Sequence, residues 1–123
     1  MTTPATNEVG MIRSLLCIGV LPPFFSATAE ERKAVFNATK SSFADLTGRF
    51  GVRVLGTFDD DTIQVGPSDG FPWTCYLLLD APDYESIRQI CSIIRDTPVG
   101  DSQLWKYYKI EARLGRPLFF GED

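Results

Sequence analysis

Histidine is absent from this sequence of 123 residues. That excludes imidazole acid/base chemistry, Ser-His and Cys-His nucleophiles, and histidine ligation of haem, zinc or non-haem iron. Cysteine is scarce. Cys17, Cys75 and Cys91 each lie in an apolar run and form neither a CxxC pair nor a zinc spacing. They are expected to be small buried thiols in a reducing cytosol. Cys17 as a nucleophile would need activation, and without histidine only Lys109 or Arg53 could lower its pKa. Basic tracts are also missing and the net charge is −4. Nucleic-acid binding, which rests on clustered Lys and Arg at phosphates, is therefore not expected. No phosphate loop of the GxxxxGK[ST] type occurs.

Long apolar runs are lacking too, and none approaches the ~20 residues of a membrane span. Arg13, the run Leu15–Leu21 and the Ala27-x-Ala29 step loosely imitate a signal peptide. Pro22 and Pro23 interrupt that segment, and cleavage would remove a strand. A soluble cytoplasmic protein needing no cofactor and no metal is the expectation.

What is present fits one domain. Hydrophobic content of 44% and charged content of 23% are globular values. A chain of this size buries roughly two-thirds of its unfolded surface. Residues 1–10 are small and polar and read as a loose tail, leaving 11–123 as the domain. Met11–Leu21 is a near-continuous apolar stretch, the mark of a central strand, ended by Pro22-Pro23. Thr28 and Glu31 match a capping box for a helix from about Ala29 to about Thr47, with Val35, Phe36, Thr39, Phe43 and Leu46 as its buried stripe and Gly48 as its stop. Gly51–Phe58 reads as a second strand, with Val52, Val54, Gly56 and Phe58 on one face and Arg53, Leu55, Thr57 and Asp59 on the other. Asp59–Asp61 is a turn, with a short extended piece at Thr62–Val65 and a second turn at Gly66–Gly70. Phe71–Leu79 is a third strand in which Trp73, Cys75, Leu77 and Leu79 alternate with Thr74, Tyr76 and Leu78. Asp83 is the expected N-cap of a second helix buried through Tyr84, Ile87, Ile90, Cys91 and Ile94 and broken at Pro98–Gly100.

The last strand is the most informative. Leu104–Leu114 alternates with period two, Leu104, Lys106, Tyr108, Ile110, Ala112 and Leu114 against Trp105, Tyr107, Lys109, Glu111 and Arg113. The second set mixes aromatics with placed charges, as a ligand cavity does. The order β-α-β-β-α-β is the split βαβ, a ferredoxin-like α+β fold with two helices on one face of a four-stranded antiparallel sheet. The other face is left bare, and a homodimer packing two such faces around a cavity is the common solution.

This layout resembles the dimeric α/β-barrel superfamily, which includes muconolactone isomerases and cofactor-free monooxygenases. Within it, LCIGV, VRVLG, VGPSDGFPWTCYLL, DAPDYE and LWKYYKIEARLGRPL resemble small accessory proteins encoded in bacterial indole-3-acetic acid degradation clusters. The resemblance implies a homodimer that binds a small aromatic ligand and converts it without cofactor, by proton transfer or oxygenation. The alternative is a non-catalytic protein that holds such an intermediate. From the residues themselves, Lys109, Glu111 and Tyr76 are the catalytic candidates, as a proton-transfer pair and a hydrogen-bond donor. Trp105, Tyr107, Arg53, Trp73 and Arg113 are the binding candidates. Equally, Lys109, Glu111 and Arg113 could be an ion network at a dimer seam. Lys106 falls on the helix-facing side of the assumed register, and a bulge near Tyr107-Tyr108 would exchange the faces beyond it.

Overall fold

The structure, a computed structural model, describes residues 10–67 and 73–122. The expected tail up to Val9, most of the Gly66–Gly70 turn, and Phe71 and Pro72 of the expected third strand lie outside the described residues.

Nine consecutive residues, Ile12–Val20, form β1. Pro22–Phe25 make a single turn, α1, starting with proline where its missing N–H costs nothing. Thr28 then caps α2, Ala29–Ser42, by the full capping box: its hydroxyl accepts from the Glu31 N–H, and the Glu31 carboxylate accepts from the Thr28 N–H. The helix does not continue to Thr47. It stops at Ser42, and a new short helix, α3 (Leu46–Phe50), begins at Asp45, a residue in the left-handed conformation whose carboxylate accepts from the Gly48 N–H. Gly51, at φ 72°, ends α3, so the stop comes there and not at Gly48. The strand β2 is Arg53–Asp59. The piece Thr62–Val65 is not a strand. Cys75–Ala81 is β3, and Asp83 caps α4 (Tyr84–Cys91) as its side chain accepts from the Ser86 N–H. A short α5 (Ile93–Asp96) and the two-residue strands β4 (Pro98–Val99) and β5 (Ser102–Gln103) lead to the last element of the sheet, β6, Tyr108–Gly115.

The four long strands are ordered β2-β3-β1-β6, every neighbouring pair antiparallel. Each βα-type crossover thus skips over one strand, the ferredoxin-like arrangement in which two βαβ units interlock. One sheet face is closed by the helices. Its core holds Leu16, Leu79 and Ala81 from the sheet with Leu46, Ile87, Ile90 and Ile93 from the helices. A second cluster joins Ile18, Val35, Ile94, Leu104, Tyr107 and Tyr108. Two expected core positions miss: Phe36 and Tyr84 are exposed, since each helix covers the sheet with a narrower stripe than its apolar spacing suggests. Among the described residues no helix is long and apolar enough to cross a membrane.

Two corrections concern which face a side chain occupies. The expected strand from Leu104 does not begin there. Leu104–Lys106 form a 3₁₀ turn, and the strand starts four residues later at Tyr108. Tyr107 is therefore not on the open face but only 4% exposed in the helix-side core, with Lys106 over its ring at 5.4 Å. Trp105 is carried on the 3₁₀ turn, exposed, and off the sheet. In β2 the register shifts between Val54 and Gly56, an extra residue at Leu55. Beyond that bulge the faces exchange, so Gly56 and Phe58, not Thr57 and Asp59, share a face with Arg53.

Candidate functional site

The uncovered side of the sheet can be assembled row by row from the pairing. One row crosses all four strands as Phe58, Tyr76, Cys17 and Glu111. The next holds Gly56, Leu78, Leu15 and Arg113. A third holds Arg53, Asp80, Arg13 and Gly115. At the opposite end Gly19 lies against Lys109. Period-two alternation along β6 from Tyr108 onward places Lys109, Glu111 and Arg113 on this face and Tyr108, Ile110 and Ala112 toward the helices. That part of the expected register holds, because the 3₁₀ turn absorbs the conflict that Lys106 had raised.

The face is polar on the β6 edge and apolar in the middle. The rings of Phe58 and Tyr76 stack with centroids 4.8 Å apart and planes 26° apart. Such offset pairs add about 0.5–1.5 kcal/mol beyond their buried area. The Tyr76 hydroxyl donates to Asp60 Oδ2 at 2.8 Å, which fixes the ring. Leu15 and Leu78 continue the apolar strip, and Phe58 stays 60% exposed. On the edge, Arg113 Nε donates to Glu111 Oε2 at 3.0 Å. The Lys109 ammonium sits 4.9 Å from the centroid of the Trp73 ring, and Gly19 has no side chain to bar that reach across β1. Thr74 ties this end down: its N–H donates to the Ile18 carbonyl and its hydroxyl accepts from the Val20 N–H.

At the far end, Arg13 Nε donates to Asp80 Oδ1 at 2.7 Å, with Asp80 fully buried. The hydrogen bond to Asp80 is the main cause holding the Arg13 guanidinium above its ordinary pKa. Arg13 also reaches the Glu122 carboxylate, Nη1 to Oε1 at 3.6 Å, which draws the segment after β6 to this end of the face. Arg53 lies opposite Asp80 in this structural corner, well removed from Lys109. These contacts fix the corner, and because β2 and β6 are the two opposite edges of the sheet, Arg53 lies apart from the β6 charges.

Two titratable groups among the described residues of the face, Cys17 and Tyr76, are shifted away from the ionised form that a nucleophile or base needs. Burial pushes the Cys17 thiol up, only partly opposed by the Arg113 cation, so the thiolate is disfavoured. The hydrogen bond to Asp60 pushes the Tyr76 phenol up. Glu111 Oε2 accepts from Arg113 Nε, a partner on its own strand. Among the described residues no group of three or more acidic or cysteine side chains is placed to hold a metal.

Of the sequence-derived candidates, the fold brings Lys109, Glu111, Arg113, Tyr76 and Trp73 to one surface. It separates Trp105, Tyr107 and Arg53 from them for the reasons above. The aromatic missed by sequence reasoning is Phe58. Its signal was Gly56: a glycine inside a strand pattern marks a bulge, and a bulge before Phe58 turns it to the open side.

No family model matches the chain, and no curated protein matches it. Solved structures with a similar arrangement include a candidate chlorite dismutase, 15% identical with a TM-score of 0.46, of which this chain spans 44% of the length while 85% of this chain is covered. A dimeric protein of unknown function and ferredoxin-like fold from Bacteroides fragilis is 13% identical, with a TM-score of 0.41 over 86% of this chain and 93% of the other. A protein of unknown function from Rhodopseudomonas palustris is 19% identical, with a TM-score of 0.43 over 93% of this chain and 87% of the other. Likenesses of this strength carry no functional argument, and the ferredoxin-like assignment stands on strand order and pairing.

Proposed function

We propose that the open sheet face is where two copies of this chain meet and where a small aromatic acid, of the indole-acetate type, is held. In this reading the protein is a cytoplasmic binding or accessory protein that works without cofactor. The observation that carries it is the stacked Phe58–Tyr76 pair on one sheet face with the charged β6 edge, Lys109, Glu111 and Arg113, across β1 from it. A flat aromatic body suits the Phe58, Tyr76, Leu15 and Leu78 strip, and a carboxylate suits Lys109 or Arg113 by a charge-assisted hydrogen bond. Trp73 forms one wall through its contact with Lys109. Three free cysteines accord with a reducing compartment. Binding is favoured over conversion because the Tyr76 phenol and the Cys17 thiol are both held toward their neutral forms, and Glu111 is tied to Arg113.

Titration of indole-3-acetate and its oxidised relatives, followed by tryptophan fluorescence, tests the reading. Lys109→Met should lose a charge-assisted bond worth roughly 1.5–3 kcal/mol, about ten- to a hundredfold in affinity. Unchanged affinity in a folded Lys109→Met variant would remove the site. Consumption of an oxidised indole-acetate by the purified protein would replace the binding function with an enzymatic one, in which Lys109, Glu111 and Tyr76 resume the catalytic roles first considered for them.

A further inference from the structure

The segment after β6 is more apolar on its surface than a solvated segment requires. Leu118, Phe119 and Phe120 are all exposed, Phe119 to 96%, and its nearest ring is that of Phe120, with centroids 4.8 Å apart. The segment is not loose against its own subunit. Glu122 meets Arg13, a residue of the open face, so the segment is held at one end of that face while Phe119 projects away from the subunit. Building on the face-to-face pairing proposed above, we infer that Leu118–Phe120 of one copy lies across the open face of the second copy. There it closes the Phe58–Tyr76 strip, so that each aromatic site is completed by the other chain.

Three features favour a second copy as the occupant. The first is area. Leu78, Phe58, Leu118, Phe119 and Phe120 together expose on the order of 500 Å² of apolar side chain, a large share of the ~800 Å² per partner of a standard interface. The second is charge. Lys109, Glu111 and Arg113 give a plus-minus-plus row on the β6 edge. A two-fold axis that passes between Glu111 and Arg113 sets the row against its own copy two residues out of step, so that Glu111 of each chain faces Arg113 of the other. The third is continuity: the exposed segment and the exposed strip border the same face through the Arg13–Glu122 contact.

The test places p-benzoylphenylalanine at position 119, where near-complete exposure leaves the fold undisturbed, in a one-to-one mixture of ¹⁴N and ¹⁵N chains. After irradiation, peptide mapping should find crosslinks that join a light to a heavy chain and end within residues 53–59 or 75–81. Crosslinks confined to single chains, crosslinks landing elsewhere, or a monomer in sedimentation at micromolar concentration would each overturn the inference. A second arm uses the chain lacking residues 118–123, checked for a retained circular-dichroism spectrum. Mixed with Lys109→Met chains, it should recover ligand binding at half of the heterodimer's sites, since one site then combines an intact face with an intact segment. If the inter-chain crosslinks form and wild type binds no aromatic acid, the ligand reading fails and the inter-chain placement stands.

Discussion

The two faces of β1 are built for different surroundings. Toward the helices it offers Ser14, Leu16 and Ile18, all buried. Toward the open side it offers Arg13, Leu15, Cys17 and Gly19, flanked by Tyr76, Leu78, Lys109, Glu111 and Arg113. The covered face is aliphatic and closed by its own subunit. The open face mixes stacked aromatics with charges and a fixed ion pair, and leaves Phe58, Leu78 and Arg113 exposed. The packing that stabilises the subunit lies on one side of the strand and the proposed recognition on the other, with a single residue step between them.

The largest expected effect tests that division within two adjacent residues. Leu16, 0% exposed, lies between the sheet and the helices. Leu16→Ala should cost about 3–5 kcal/mol through lost transfer energy and a residual cavity. Leu15→Ala should cost the subunit less, about 1–2 kcal/mol, because Leu15 is only partly buried, and should also weaken self-association. Urea unfolding at low concentration and sedimentation at high concentration separate the two. Equal destabilisation of the subunit by both variants would break the comparison.

The same contrast explains what could be read from the sequence. The covered face was legible because helix caps and aliphatic periodicity are local signals. Thr28 with Glu31 and Asp83 each began a helix where expected. The last strand from Tyr108 kept its parity, and with it the placement of Lys109, Glu111 and Arg113. Errors arose where one residue of backbone irregularity reverses a face. The 3₁₀ turn at Leu104 moved Tyr107 into the core, and the extra residue at Leu55 turned Phe58 outward. Asp45 broke the first long helix by adopting a left-handed conformation to cap the next one. Alternation counts residues and assumes each advances the chain equally. It cannot see a bulge or a tight turn unless a residue such as Gly56 announces it.

Alkaline titration should produce an intermediate effect and sharpen the comparison. Burial pushes up the thiols of Cys17, Cys75 and Cys91 and the Tyr108 phenol, whose contact with Thr39 only partly opposes it. Tyr76 is pushed up by its hydrogen bond to Asp60. In each case the folded pKa lies above the unfolded one, about 8.5 for a thiol and 10 for a phenol. The unfolded chain therefore releases these protons first as pH rises, and stability falls. The contribution is complete below the unfolded values and is lost as pH climbs through the folded ones. Urea midpoints should be level from pH 6 to 8, decline from about pH 8.5, and decline further beyond pH 10. Tyr108→Phe, on the covered face, should flatten the later part of that decline. A midpoint independent of pH up to 10.5 would contradict the assigned directions.

The smallest expected effect discriminates most finely between an open face and an occupied one. Glu111 and Arg113 form an ion pair at 3.0 Å with side chains 44% and 63% exposed in the single subunit. In water such a pair is worth about 0.2–1 kcal/mol, since solvent screens it and both long side chains must be held in one geometry. Arg113→Gln in a dilute, monomeric sample should therefore shift stability by less than about 1 kcal/mol, and added salt should erase the difference. Dimerisation changes the expectation. If the second copy covers the β6 edge, both charges lose water together, and removing the cation leaves Glu111 partly desolvated with one partner fewer. The same substitution should then weaken the dimer by more than it destabilises the subunit, with little relief from salt. A thermodynamic cycle over Arg113→Gln, Glu111→Gln and the double variant, measured once by unfolding and once by dimer dissociation, gives the two coupling energies side by side. A dimer coupling no larger than the subunit coupling would mean that the edge stays wet and that the second copy sits elsewhere.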